Sequence, residues 1–155
     1  VFLPIYYQEA SIILKQASDK EFAPIFFGCD GMDGILSVEN FDTSLAEGLM
    51  LLTPFSADEA GSQDFVKAYQ DAYGEVPLQF GAGAYDAVYA IKAAAEKAGI
   101  TPDMSMSDIC DAMKTAMTEI TVDGLTGAEM KWNAAGEPEK APKAAKIENG
   151  KYVMQ

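Results

Sequence analysis

The sequence predicts an α/β fold built on parallel strands with helices against them, and three observations carry that prediction. An apolar strand, Val1-Phe2-Leu3-Pro4-Ile5, leads through Tyr6-Tyr7 into a segment whose Ala10, Ile13, Leu14 and Ala17 recur at the spacing of one buried helix face. A second apolar run, Pro24 to Gly28, follows. It stops abruptly in Cys29-Asp30-Gly31-Met32-Asp33-Gly34, where glycines let the chain turn and bring backbone close to something bound. A strand-helix-strand crossover of this length favours parallel, right-handed pairing, which puts Tyr6 and Asp30 at the same carboxyl edge of one sheet. Ligands of open α/β sheets sit at that edge, so Asp30 is a candidate to receive a positively charged group, with the Tyr6 ring adding cation–π attraction. The plain alternative stands beside it: Asp and Gly are ordinary loop residues.

After an irregular stretch from Ile35 to Glu47, Leu49 to Leu52 is a further apolar strand that Thr53-Pro54-Phe55 ends, since Pro54 has no donor for a central strand. A crossing between structural units is expected there. Ser62 is placed to cap a helix carrying Phe65, Val66, Tyr69, Ala72 and Tyr73 on one face, with Gly74 past its end. Phe80 precedes Gly81-Ala82-Gly83, which opens the most helix-prone segment, with Ala84, Val88, Ile91 and Ala95 expected inward and Gly99 stopping it. Gly81-x-Gly83 does not make a phosphate loop, and Asp86 is read as a charge in that helix's first turn, favourable to its dipole. A helix from about Ser107 to Met117 buries Ile109, Met113, Ala116 and Met117, methionines that read as core. Met130-Lys131-Trp132-Asn133 reads as a strand with a structural Trp132, and Ala144–Ile147 with Lys151–Met154 as a closing hairpin around Asn149-Gly150.

Composition narrows the function. With 24 acidic and 11 basic residues the formal charge is -13, which disfavours nucleic acid and anionic membranes and suits small cations, zwitterions or neutral solutes. Histidine is absent, so the commonest general base and metal ligand is missing. Cys29 and Cys110 lack metal-ligand spacing and are expected as free thiols. No run approaches the roughly 18 apolar residues of a membrane span. The opening Val1–Ile5 lacks a charged segment ahead of it, does not resemble a signal peptide, and reads as the inside of a strand, which points to a piece of a longer chain. No motif asks for a cofactor.

Several pieces fit one family in order and spacing. Tyr6-Tyr7-Gln8-Glu9 with Lys15-Gln16-Ala17, Phe27-Gly28-Cys29-Asp30-Gly31, Ala46-Glu47-Gly48, Tyr85-Asp86-Ala87-Val88, and Gly124-Leu125-Thr126-Gly127 with Trp132-Asn133 and Gly136 together resemble the carboxyl-terminal half of the Leu/Ile/Val-binding proteins. These are type I periplasmic substrate-binding components of branched-chain amino-acid ABC transporters. The resemblance implies a two-lobed clamshell, each lobe a Rossmann-like parallel sheet flanked by helices, only part of each lobe lying in this chain. Residues 1–54 and 140–155 would belong to the carboxyl-terminal lobe and 55–139 to the amino-terminal lobe, with the amino-terminal half of the protein as the missing partner. Three binding roles carry over: Tyr6 as a cleft aromatic, Asp30 as the acid that receives the ligand's α-ammonium, and Phe80 as an aromatic from the opposite lobe. Cys29 departs from the pattern.

The implied function is solute capture by lobe closure, followed by docking on a membrane permease, in an extracytoplasmic protein, periplasmic or anchored as a surface lipoprotein. A ligand sensor of the same fold, responding to an amide or amino acid, is the alternative. An acid-base or thiol enzyme using Asp30, Asp33 or Cys29 is a third class, weakened by the lack of histidine and of any visible base for the thiol. Asp33 is expected to be solvated.

Overall fold

The structure, a computed structural model, describes residues 1–155 and separates into two compact units, Val1–Gln79 with Pro142–Gln155, and Phe80–Ala141. The chain leaves the first unit at Gln79, later than the crossing expected at Pro54. Phe55 is buried and packs edge-on against Phe65, and Thr53 Oγ1 donates to the Phe55 carbonyl at 2.8 Å, so the segment after the third strand folds back on its own unit.

The first unit holds β1 (Phe2–Leu3), α1 (Tyr7–Asp19), β2 (Phe27–Gly28), β3 (Met50–Leu52), α2 (Gln63–Tyr73), β6 (Ala144–Glu148) and β7 (Lys151–Met154). Its sheet runs β1-β2-β3-β6-β7. The first three strands are parallel, with Leu3 opposite Gly28 and Gly28 opposite Leu51, as the crossover argument requires. The last two are antiparallel additions at one edge. Asn149 and Gly150 at φ 53° and 71° make the β6–β7 turn, the conformation that favours this residue pair. Ala10, Leu14, Met32, Ile35, Leu51 and Ile147 form the centre of the core, with Ile13 packed at its side.

The second unit contains α3, α4 (Met106–Met117), β4 (Lys131–Trp132) and β5 (Pro138–Glu139); α3 spans Gln79–Ala98, so its first residue is the last of the first unit. Ser105 caps α4 by accepting the Asp108 N–H while its own hydroxyl donates to the Asp108 carboxylate. Ala90, Ala94, Ala116, Ile120, Val122 and Met130 form this unit's core, with Met113, Met117 and Trp132 against it, all in structural roles.

Two expectations for α3 fail. The helix begins at Gln79, ahead of the Gly81-Ala82-Gly83 expected to open it, and its first N–H is capped from a distance by Asp33. Its buried face is also turned: Ala82, Asp86, Ala90 and Ala94 are inside, while Val88 and Ile91 are 65% and 58% exposed. The cause is Asp86. Beyond the helix's first turn, it accepts N–H bonds from Leu125 and Thr126 at 2.8 Å each and the Thr126 hydroxyl at 2.7 Å, which fixes that side inward.

Candidate functional site

The site grows from the end of β2. Gly28 is the last strand residue, and a Cβ there would lie 2.1 Å from Met32 Cγ, so the strand must end in glycine for Met32 to fold under it. The chain then makes one tight 3-10 turn over Asp30–Met32, closed by Met32 N–H to the Cys29 carbonyl at 3.0 Å and Asp33 N–H to the Asp30 carbonyl at 3.1 Å. Gly31 lies against the junction of β1 and α1. A Cβ there would sit 3.0 Å from the Ile5 carbonyl oxygen and 3.3 Å from Tyr6 Cδ1. Glycine is therefore what lets the turn approach the opposite backbone, and the approach sets the Tyr6 ring against Gly31, one residue past Asp30.

Tyr6 and the Asp30 turn are thus brought together at the carboxyl edge of β1 and β2. Tyr6 occupies the position before α1 in extended backbone, with 63% of its surface open. Asp30 is exposed and half-buried Cys29 precedes it as a free thiol; Cys110, also free, is exposed on α4. Phe80, 50% exposed, is the second residue of α3 and the first of the other unit. Groups of three or more Cys, Asp or Glu side chains able to hold a metal do not occur.

Asp33 overturns its expectation. It is 4% exposed, and its Oδ2 accepts the Gln79 N–H at 2.7 Å. Burial pushes its carboxyl up to about 6, opposed by hydrogen bonds from the Gln79 and Gly34 backbones. Tyr152 on β7 stands close by: its phenol oxygen accepts the Gly34 N–H at 3.1 Å, and burial together with the Asp33 charge pushes it up to about 12. Gln79 completes the group by donating its side-chain amide to the Asp30 carbonyl. Neither Gln79 nor Tyr152 stood out in the sequence. Their partners lie 49 and 118 residues away, beyond the reach of any local pattern.

A family model described as periplasmic binding protein matches residues 8–151. Comparison with curated proteins finds no match. Among solved structures, the chain is similar to the leucine-binding protein LivK of Thermotoga maritima, at 23% identity and TM-score 0.75 over 99% of this chain and 43% of that one. It is similar to the branched-chain amino acid transporter substrate-binding protein LivJ of Streptococcus pneumoniae, in complex with isoleucine, at 24% identity and TM-score 0.75 over 99% and 44%. A solute-binding protein of an ABC transporter from R. palustris, in complex with benzoate, matches at 19% identity and TM-score 0.77 over 99% and 41%. The chain therefore spans less than half the length of these structures, and at such identities the likeness is one of fold. From the match to residues 8–151 and the mixed sheet, parallel in its first three strands, with its flanking helices, the chain belongs to the periplasmic binding protein family, with the type I fold.

Proposed function

We infer that the chain is part of an extracytoplasmic solute-binding protein that captures a branched-chain or related amino acid by lobe closure and presents it to an ABC permease, without turnover. The observation that carries this reading is the Tyr6 ring against Gly31, next to the exposed Asp30, at the carboxyl edge of parallel strands. A carboxylate there offsets an α-ammonium, and the neighbouring ring adds cation–π attraction. Phe80 is carried in this reading as a ligand-contacting aromatic. The first unit is assigned to the carboxyl-terminal lobe and the second to the amino-terminal lobe.

The rest of the clamshell is a partner in this reading. Support comes from Val1 and Phe2, which are 52% and 60% exposed at the open β1 edge, apolar surface that a neighbouring strand and helix would cover.

Calorimetric titration of the intact protein with L-leucine, L-isoleucine and benzoate tests the assignment. The amino acids bind, benzoate does not, and Asp30→Asn costs at least about 30-fold in amino-acid affinity, because losing one partner of a desolvated charge pair costs roughly 2–5 kcal/mol. Benzoate binding that Asp30→Asn leaves intact, or strengthens, would replace the ammonium reading with one for aromatic acids.

A further inference from the structure

We propose that Asp33 and Gln79 are positioning residues for Asp30: they hold the Cys29–Asp33 turn in the conformation that presents its carboxylate, and they do so fully only while Asp33 is ionised. The proposal deepens the amino-acid reading above and rests on Asp30 as the ammonium receiver.

The geometry is a short chain of hydrogen bonds. Asp33 Oδ2 accepts the backbone N–H of Gln79 at 2.7 Å, and the Gln79 side chain donates to the Asp30 carbonyl. That same carbonyl takes the Asp33 N–H at 3.1 Å, so Asp30 is gripped from within its turn and from across the fold. Asp33 and Gln79 are 4% and 6% exposed, which keeps water from competing for these bonds. Gln79 is also the first residue of α3, where an ionised acceptor meets the positive end of the helix dipole.

Protonation removes that charge. A carboxylate acceptor is roughly twice as strong as a neutral one, so a protonated Asp33 loosens Gln79, and Gln79 in turn loosens its hold on Asp30. The groups facing Asp33 are the Tyr152 phenol and Lys151 from β7, and Asp58 from the segment after β3, which line with it a cavity of about 300 Å³, and Asp30 on its own turn. Tyr7 of α1 lies against the neighbouring Gly34. Tyr152 is pushed up to about 12 and stays neutral through the physiological range, while burial brings Asp33 to about 6.

Two measurements on the intact protein test the coupling. In a pH titration followed by NMR, the Gln79 backbone N–H and side-chain amide resonances should move together with a midpoint near 6, and Asp33→Asn should abolish that movement. In parallel, L-leucine affinity should fall by about fivefold from pH 7.5 to 5 in the wild type and by clearly less in Asp33→Asn, the size expected for losing a charge at a partly buried helix terminus. Gln79 resonances that ignore pH in this window would overturn the coupling, as would equal pH dependence of binding in the two proteins. Resonances that follow Asp33 while Asp30→Asn binds L-leucine like the wild type would locate the failure in the amino-acid reading instead.

Discussion

Each unit buries one aspartate that reaches across a long stretch of sequence to backbone N–H groups, yet the two are held differently. Asp86 in the second unit has three short donors, from Leu125, Thr126 and the Thr126 hydroxyl. Asp33 in the first has one short bond, from Gln79, and a weaker lowering influence from Gly34. At Asp33 the burial cost outweighs these bonds, and the carboxyl rises to about 6. Asp86 ties a turn to its helix through three short bonds, while the Asp33 charge responds near neutral pH.

The sharpest way to break the comparison is to remove the anchor. Asp86→Ala leaves two N–H groups and a hydroxyl in a buried site without their acceptor, and Thr126 is itself 3% exposed. A loss of about 3–5 kcal/mol is expected in urea unfolding followed by Trp132 fluorescence, Trp132 being packed on the same unit's core. A loss below about 1 kcal/mol would mean that the Gly124–Thr126 turn holds α3 without the carboxylate.

The next effect is a difference that grows with pH. Because folding raises the Asp33 pKa from 3.8 to about 6, the folded chain binds more protons than the unfolded chain between those values, and stability from this group falls as pH rises. The contribution is fully present below 3.8 and lost as pH passes through about 6. Asparagine does not titrate, so Asp33→Asn should gain on the wild type by on the order of 2 kcal/mol between pH 4 and pH 7. Denaturant midpoints at both pH values measure it, and a constant gap would contradict the burial of an ionisable Asp33.

What the sequence revealed follows the range of the interactions. The α1 face, the Asn149-Gly150 hairpin and the parallel pairing of β1 with β2 rest on neighbours in sequence or on one crossover rule, and the structure has all three. The α3 face was misread because both sides of that helix are apolar. Val88 and Ile91 are the larger residues, but the side chosen is the one that Asp86 ties to a turn 39 residues on. Asp33 was expected in solvent for the same reason: its donor, Gln79, lies 46 residues away.

Within the Asp30 turn, packing can be tested apart from charge. Gly28→Ala would place a methyl 2.1 Å from Met32 Cγ, and Met32 is fully buried, so it must change rotamer inside a filled core. About 1–3 kcal/mol of destabilisation is expected by thermal unfolding, with Met32→Ala in the same chain recovering part of it. Destabilisation by Gly28→Ala that Met32→Ala fails to relieve would place the strain in backbone rather than in this contact.

The smallest expected effect on folding belongs to the residue given the largest role in binding. Asp30 is exposed, and its grip on the fold runs through its backbone: the carbonyl that accepts from Asp33 and Gln79 is unchanged in Asp30→Asn. Substitutions at such surface positions shift stability by about 0.5 kcal/mol or less. Urea midpoints of wild type and Asp30→Asn should therefore coincide at pH 7.5 while their amino-acid affinities separate by at least about 30-fold. Three residues along the turn, Asp33→Asn reverses the pattern, opening a pH-dependent stability gap from the wild type and changing binding by only severalfold. Should Asp30→Asn unfold the protein instead, its carboxylate would be part of the scaffold, and the contrast between a displayed acid and a supporting one in this turn would collapse.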